Sequence, residues 1–256
     1  MKQFFMITNI KIMNMKSLTA FVLAACIALP ALAADNMNIT RWAKGTFEYR
    51  ALSTGAVSGA EEWHLSVHPD GSRTMHARNW LDDVHYSRHV TYRVAENFRP
   101  LEVTSVYWVR GEWRGTGLFA INGNELQAIV KTPDGMIQQT RTVPDNFSMI
   151  PHPLSTNAWN TWYYDKAKGG PQPMTVYDMD AGAQAVSSML GKVYTQNLEF
   201  IGAEKMTTPA GTFDVDHFRV EDAVDMYITG PDAILVRFQW IPADRDYVLT
   251  SLETGS

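Results

Sequence analysis

The sequence predicts a mainly β protein, an antiparallel curved sheet or partly closed β-barrel with one or two short helices in the connecting segments. Three observations carry that expectation. Apolar and polar residues alternate with period two through most of the chain from Thr46 onward, which marks strands with one buried face. Turn residues recur at intervals of roughly ten, as in an antiparallel meander; they include Pro69-Asp70-Gly71, Asn122-Gly123, Thr132-Pro133-Asp134-Gly135 and Gly230-Pro231-Asp232. The segment from Thr207 to Leu249 reads as four consecutive strands with turn chemistry at each corner.

Before the first strand stands a processing signal. Met15-Lys16 precedes an apolar run from Leu18 to Leu29, and Ala31-Leu32-Ala33 offers an A-x-A cleavage site before Ala34-Asp35. Residues 1–33 are therefore expected to be a signal peptide, with 1–14 an upstream extension, and the protein to be periplasmic or secreted. Leu23-Ala24-Ala25-Cys26 also resembles a lipoprotein box, which would leave a lipid anchor at Cys26; the apolar Ile27-Ala28-Leu29 that follows argues for a soluble product. Cys26 is the single cysteine, so a chain cut after it holds no disulfide, no thiolate nucleophile and no cysteine metal ligand. Residues 35–256 are long enough for one β domain held by its core alone. The net charge of −5 deepens when Lys2, Lys11 and Lys16 leave with the leader. That balance disfavours nucleic acid or an anionic membrane surface as partner, and no later stretch is long and apolar enough to insert stably as a helix.

Thr46 to Leu52 forms the first strand, and Ser53 to Gly59 a small-residue turn. Trp63, Leu65 and Val67 alternate with His64, Ser66 and His68, and Pro69-Asp70-Gly71 returns the chain into Arg73 to Arg78. That register sets Ser66 opposite Thr74, His64 opposite His76 and Glu62 opposite Arg78. A third strand runs from Val84 to Val94, with His85, Ser87, His89 and Thr91 on one face and Val84, Tyr86, Val90 and Tyr92 on the other. Another starts at Pro100 and is expected to continue past Gly111 toward Ile121, followed by Glu125 to Lys131 and Met136 to Val143. The alternation then stops. Pro144 to Gln172 holds Phe147, Trp159, Trp162, Tyr163 and Tyr164 without period two, and reads as an aromatic excursion or lid. A short helix capped by Ser155 or Thr156 would carry Trp159, Trp162, Tyr163 and Lys166 on one face; a second is expected across Ala181 to Leu190. Strands resume near Lys192. The apolar phase of Phe213 to Val220 shifts by one, which predicts a bulge near Asp216-His217. In the last hairpin a three-residue loop would set Ile228 opposite Ile234, Met226 opposite Val236, Val224 opposite Phe238 and Asp225 opposite Arg237.

Thr208-Pro209-Ala210-Gly211-Thr212-Phe213, followed by Trp240 and Pro242-Ala243-Asp244-Arg245-Asp246-Tyr247, resembles a group of exported bacterial proteins that carry a domain of unknown function. The resemblance covers the last half of the chain most closely. It implies export and a curved antiparallel sheet or partial barrel, similar to periplasmic lipoprotein-carrier folds. Its motif is one of turns and strands, so it transfers no catalytic residue.

Histidines are the leading candidates for chemistry. The pairs His64/His68 and His85/His89 have helical metal-site spacing but sit in strands, where four residues span ~13 Å. Cross-strand His64 and His76, with His85 or His89 beside them, remain able to act together, or else form a polar, partly solvated sheet face; no metal is expected. His152, between Pro151 and Pro153, has a backbone fixed well enough to hold an imidazole over a pocket as an acid or base. Tyr163 supplies a phenol nearby, which completes a catalytic set of His152, His76, His64 and Tyr163. The ligand-binding set is Trp159, Trp162, Phe147, Trp80, His89 and Arg78. Asp178-x-Asp180-x-Gly182 lacks the later ligands of a calcium loop and reads as a turn. The chain contains no G-x-S-x-G elbow, H-E-x-x-H, phosphate-binding glycine loop or dinucleotide fingerprint, and no cofactor is expected. The expected function is an exported binding protein that holds an apolar or aromatic small molecule in a β cup. The alternative is a cofactor-independent lyase, hydratase or isomerase using histidine acid–base catalysis.

Overall fold

The computed structural model describes residues 39–82, 85–179 and 189–256. The leader, and most of the helix expected across Ala181 to Leu190, lie outside the described residues. Fifteen strands occur among those described: β1 (Arg41–Ala51), β2 (Val57–Val67), β3 (Arg73–Leu81), β4 (Tyr86–Val94), β5 (Pro100–Val109), β6 (Glu112–Asn122), β7 (Glu125–Thr132), β8 (Gly135–Thr142), β9 (Phe147–Ile150), β10 (Gln172–Asp178), β11 (Lys192–Thr208), β12 (Gly211–Val220), β13 (Val224–Thr229), β14 (Ile234–Trp240) and β15 (Arg245–Gly255). All belong to one curved sheet that does not close on itself, in the order β8-β7-β6-β5-β4-β3-β2-β1-β15-β14-β13-β12-β11-β10-β9. The first half of the chain thus meanders outward from β1 in one direction, and the second half returns to lay β15 against β1. Neighbours are antiparallel except β9 and β10, which are parallel. Side chains from every region of the sheet meet in a single core, with Phe47, Tyr92, Tyr107, Phe119, Phe147 and Trp159 among its fully buried members. No helix among the described residues is long and apolar enough to cross a membrane.

Alternation decides which face of each strand turns inward. In β4, Tyr86, Arg88, Val90, Tyr92 and Val94 are buried while His89 is exposed. The β2–β3 hairpin has the register its turn dictates: Ser66 faces Thr74, His64 faces His76 and Glu62 faces Arg78. Asp70 accepts from the Ser72 amide at 2.9 Å and the Ser72 hydroxyl at 2.6 Å, which locks the Pro69-Asp70-Gly71 turn.

Four expectations change. Arg110-Gly111 is a tight turn rather than a point of passage: both residues have positive φ, 54° and 76°, and Val109 pairs with Glu112. The last hairpin has a different register, with Met226 facing Phe238, Val224 facing Trp240, and a bulge after Tyr227. The cause is Asp232, whose carboxylate binds Arg41 through two 2.6 Å bonds and Arg73 through one of 2.9 Å. Those ties enlarge the loop to Gly230–Ala233, with left-handed Ala233 at φ 50°. Asp225 consequently faces Gln239 and binds His217 and Arg219, while Arg237 binds Asp246. The bulge expected near Asp216-His217 lies opposite that point, in β11 between Phe200 and Gly202.

The fourth change concerns the aromatic excursion. It contains β9, the start of β10, and a 3₁₀ segment at Leu154–Thr161 in place of an α-helix with a Ser155 or Thr156 cap. This segment lies inside the curve of the sheet, with Leu154, Ala158 and Trp159 buried in the core. It fills the cup. Its N-terminal amides need no local cap because Glu61, reaching across from β2, accepts from Leu154 N at 2.6 Å and Ser155 N at 2.9 Å.

Candidate functional site

Glu61, Asn79 and Arg88 stand in register on adjacent strands: Glu61 faces Asn79, and Asn79 faces Arg88. Each occupies an inward phase filled mainly by apolar residues, and they are 0%, 5% and 0% exposed. Such polar groups survive burial only with partners. All three find them on the plug. Arg88 Nη1 donates to Pro151 O at 3.0 Å, Asn79 Nδ2 donates to His152 O at 3.0 Å, and Glu61 takes the next two amides. Tyr49 also donates its hydroxyl to Glu61 at 2.5 Å. Burial lifts the Glu61 carboxyl above the usual carboxylate range, against hydrogen bonds from Ser155, Tyr49 and Leu154 that pull the other way.

The residue held by this ladder is His152. Its φ is +67°, a left-handed conformation that a non-glycine residue keeps only when its surroundings impose it. Flanking prolines and the bonds to Pro151 O and His152 O impose it here. The imidazole Nε2 lies 2.7 Å from Asp178 Oδ1, at the end of β10, and Tyr194 of β11 donates its hydroxyl to Asp178 Oδ2 at 3.1 Å. Burial pushes the Asp178 carboxyl up, but the bonds and charge of His152, the Tyr194 bond and the charge of Lys192 outweigh it and hold the group below its ordinary range. Burial, reinforced by Asp178, pushes the Tyr194 phenol up, so it stays protonated and donates. An ionised Asp178 only accepts, so Nε2 carries a hydrogen and donates it.

His152, Asp178 and Tyr194 line a cleft of about 280 Å³ between the plug and strands β10, β11, β13, β14 and β15. Its walls are mainly apolar, with Met174, Val224, Met226, Phe238 and Trp240 among them. Trp240 is an exposed large hydrophobic residue at 46%.

The other expected site residues fall elsewhere. His64, His76, His89 and Arg78 lie on the outer face of β2–β4, in a shallow open depression with Lys44, Glu62 and Thr91. His76 is in contact with Thr91 Oγ1 at 2.9 Å; burial and then the neighbouring His64 and His68 lower its pKa. Burial followed by the charge of Arg78 does the same for His89. Trp80 sits farther along this outer face, its ring 5.4 Å from the Arg78 guanidinium carbon. Phe147 and Trp159, 0% and 1% exposed, belong to the core; Trp159 donates Nε1–H to Asp232 O at 3.1 Å and packs on Tyr92 and Phe98. Trp162 and Tyr163 pack edge to face with ring centroids 5.1 Å apart, and neither lines the cleft. The structure therefore brings His152 to a cleft and separates it from His64, His76 and Tyr163. Among the described residues no cluster of three or more His, Cys, Asp or Glu side chains is placed to hold a metal ion.

Asp178 and Tyr194 were missed because their partner is supplied by the tertiary fold. Glu61, Asn79 and Arg88 did leave a signal: a polar residue in the apolar phase on each of three successive strands.

No family model matches the chain, and no curated protein matches it. Among solved structures, it is similar to a β-barrel-like protein of a domain of unknown function, DUF1849, from Brucella abortus. The match covers 84% of this chain and 97% of that one, with a TM-score of 0.53 and 10% identity. At that identity the likeness is one of fold.

Proposed function

We propose that the protein is an exported binding protein, periplasmic or secreted, that holds an apolar or aromatic small molecule in the cleft beside the plug. The observation that carries this reading is the cleft's wall chemistry: Met174, Val224, Met226, Phe238 and Trp240 stand among its lining residues, and its surface is mainly apolar. Its size suits a molecule of one or two fused rings. The test is a fluorescence titration with N-phenyl-1-naphthylamine, a neutral aromatic dye, on the protein from Ile39 onward and on a Val224→Trp variant that fills the cleft. Saturable one-to-one binding that the variant loses, with its melting temperature kept, is the expected result. Absence of saturable binding, or equal binding by the variant, overturns the reading.

A second reading, cofactor-independent proton transfer as in a lyase, hydratase or isomerase, has one observation in its favour. His152 and Asp178 form an oriented imidazole–carboxylate pair in the lining of a mainly apolar cleft, the arrangement that general-base chemistry requires.

A further inference from the structure

Far from the cleft, the outer face of the first half carries a line of tryptophans. Strand register aligns Trp80 of β3, Ser87 of β4, Trp108 of β5 and Trp113 of β6 in one row across four adjacent strands. Three of the chain's eight tryptophans thus share a single row, and all three are only partly buried. Aromatic surface left half open on a sheet face marks a place of contact. Trp80 and Trp108 stand two strands apart, ~10 Å. The small Ser87 between them leaves a slot of about 410 Å³. Each ring has a polar companion. The Arg78 guanidinium carbon lies 5.4 Å from the Trp80 ring, His89 packs on Trp108 with centroids 5.0 Å apart, and Trp113 donates Nε1–H to Thr116 Oγ1 at 3.1 Å. Arg78 and His89 also line the shallow depression that holds His64 and His76, so slot and depression form one open trough over β2–β5.

The polar groups of the trough define its ligand. Its described lining carries two fixed cations, Lys44 and Arg78, and two carboxylates, Glu62 and Asp82. Those charges balance, so a highly charged ligand of either sign would meet as much repulsion as attraction. Burial first, then neighbouring charge, lowers the pKa of both His76 and His89. At neutral pH these imidazoles are uncharged, and each offers one donor and one acceptor, as the Ser87 hydroxyl does. A protein partner would bury Arg78, Asp82 and the histidines at the centre of its interface, where charged groups are depleted. A wholly apolar molecule would strip water from the same groups and return nothing. A sugar chain meets both needs. The C–H face of a pyranose ring lies against an indole, while its hydroxyls give and accept hydrogen bonds around the edge.

We infer that the outer face of β3–β6 is a second binding site, separate from the cleft, that takes a neutral glycan chain lying across the strands with sugar rings on Trp80 and Trp108. The test is calorimetric titration of the protein at neutral pH with three probes: cellohexaose, hexa-N-acetylchitohexaose and the anionic hexagalacturonate. Saturable binding of a neutral hexasaccharide, tighter than that of hexagalacturonate, is the expected result. Trp80→Ala and Trp108→Ala should each weaken it by about tenfold, and Trp108→Phe, which keeps a ring, should weaken it less. Ser87→Trp fills the slot between the indoles and should abolish binding; it decides the matter should the alanine variants melt early. The inference is overturned if neither neutral hexasaccharide binds saturably, if hexagalacturonate binds tightest, or if Ser87→Trp binds as well as wild type. Self-association in sedimentation that Trp108→Ala removes would also overturn it, by making the row a contact between copies of this chain.

Discussion

Two sets of histidines share this sheet and live under different rules. His64, His76 and His89 project from the outer face of β2–β4, where water and long side chains surround them. His152 sits within the curve, its backbone left-handed, its carbonyl and that of Pro151 gripped by Asn79 and Arg88, and its ring paired to Asp178. The outer group is placed by strand alternation and by contacts to neighbours on the same face, His64 on Trp42, His76 on Thr91 and His89 on Trp108. The inner histidine is placed by three buried polar side chains on three strands, each of which costs stability unless its plug partner is present. Rigid support of that kind is what distinguishes a prepared site from a polar surface.

The comparison breaks most visibly at Glu61. Glu61→Ala leaves two plug amides and the Tyr49 hydroxyl without an acceptor, and should cost about 3–5 kcal/mol in denaturant unfolding, where His64→Ala on the outer face should stay within about 0.5 kcal/mol. Similar losses for the two would mean the ladder is not what holds the plug. A smaller effect sharpens the claim of imposed backbone. His152→Gly and His152→Ala both lose the Asp178 contact, but only glycine is at ease at φ +67°, so the glycine variant should be more stable than the alanine variant by about 1 kcal/mol. Alanine the more stable of the two would contradict the left-handed assignment. The smallest effect is in acid. Because Asp178 titrates below its ordinary value in the folded protein, its contribution is complete above pH ~4 and is lost as pH falls through the lowered native value. Wild type should therefore lose stability more steeply below pH ~4 than Asp178→Asn. Asp232 keeps its own share in both proteins, since Arg41 and Arg73 outweigh the upward push of its burial and hold it low. Superimposable acid limbs would remove the case for an ionised Asp178.

Local chemistry was the legible part of this sequence. The β2–β3 hairpin could be read to the residue because its turn, its alternation and its cross-strand pairs all agree within the span from Glu62 to Arg78. The β13–β14 register could not, since it depends on Asp232 answering Arg41, 191 positions away. Trp159 and Phe147 looked like ligand-stacking residues because aromatic side chains in a segment without periodicity look alike whether they line a pocket or fill a core. His152 was found from its two prolines. Its carboxylate partner was not, because Asp178 resembled an ordinary turn residue until the fold placed β10 beside the plug.

The pairing of β1 with β15 has a consequence for how the chain assembles. Thr46 and Thr250, 204 positions apart, touch at 2.8 Å across that seam. Strand β1 can take β2 as a neighbour as soon as the first hairpin exists, but its other edge stays bare until the final strand arrives. Closing so long a loop is slow, and an unsatisfied strand edge attracts other chains in the meantime. Shortening the protein by its last dozen residues would therefore do more than trim a terminus: it would leave β1 permanently open along one side and make aggregation the expected outcome.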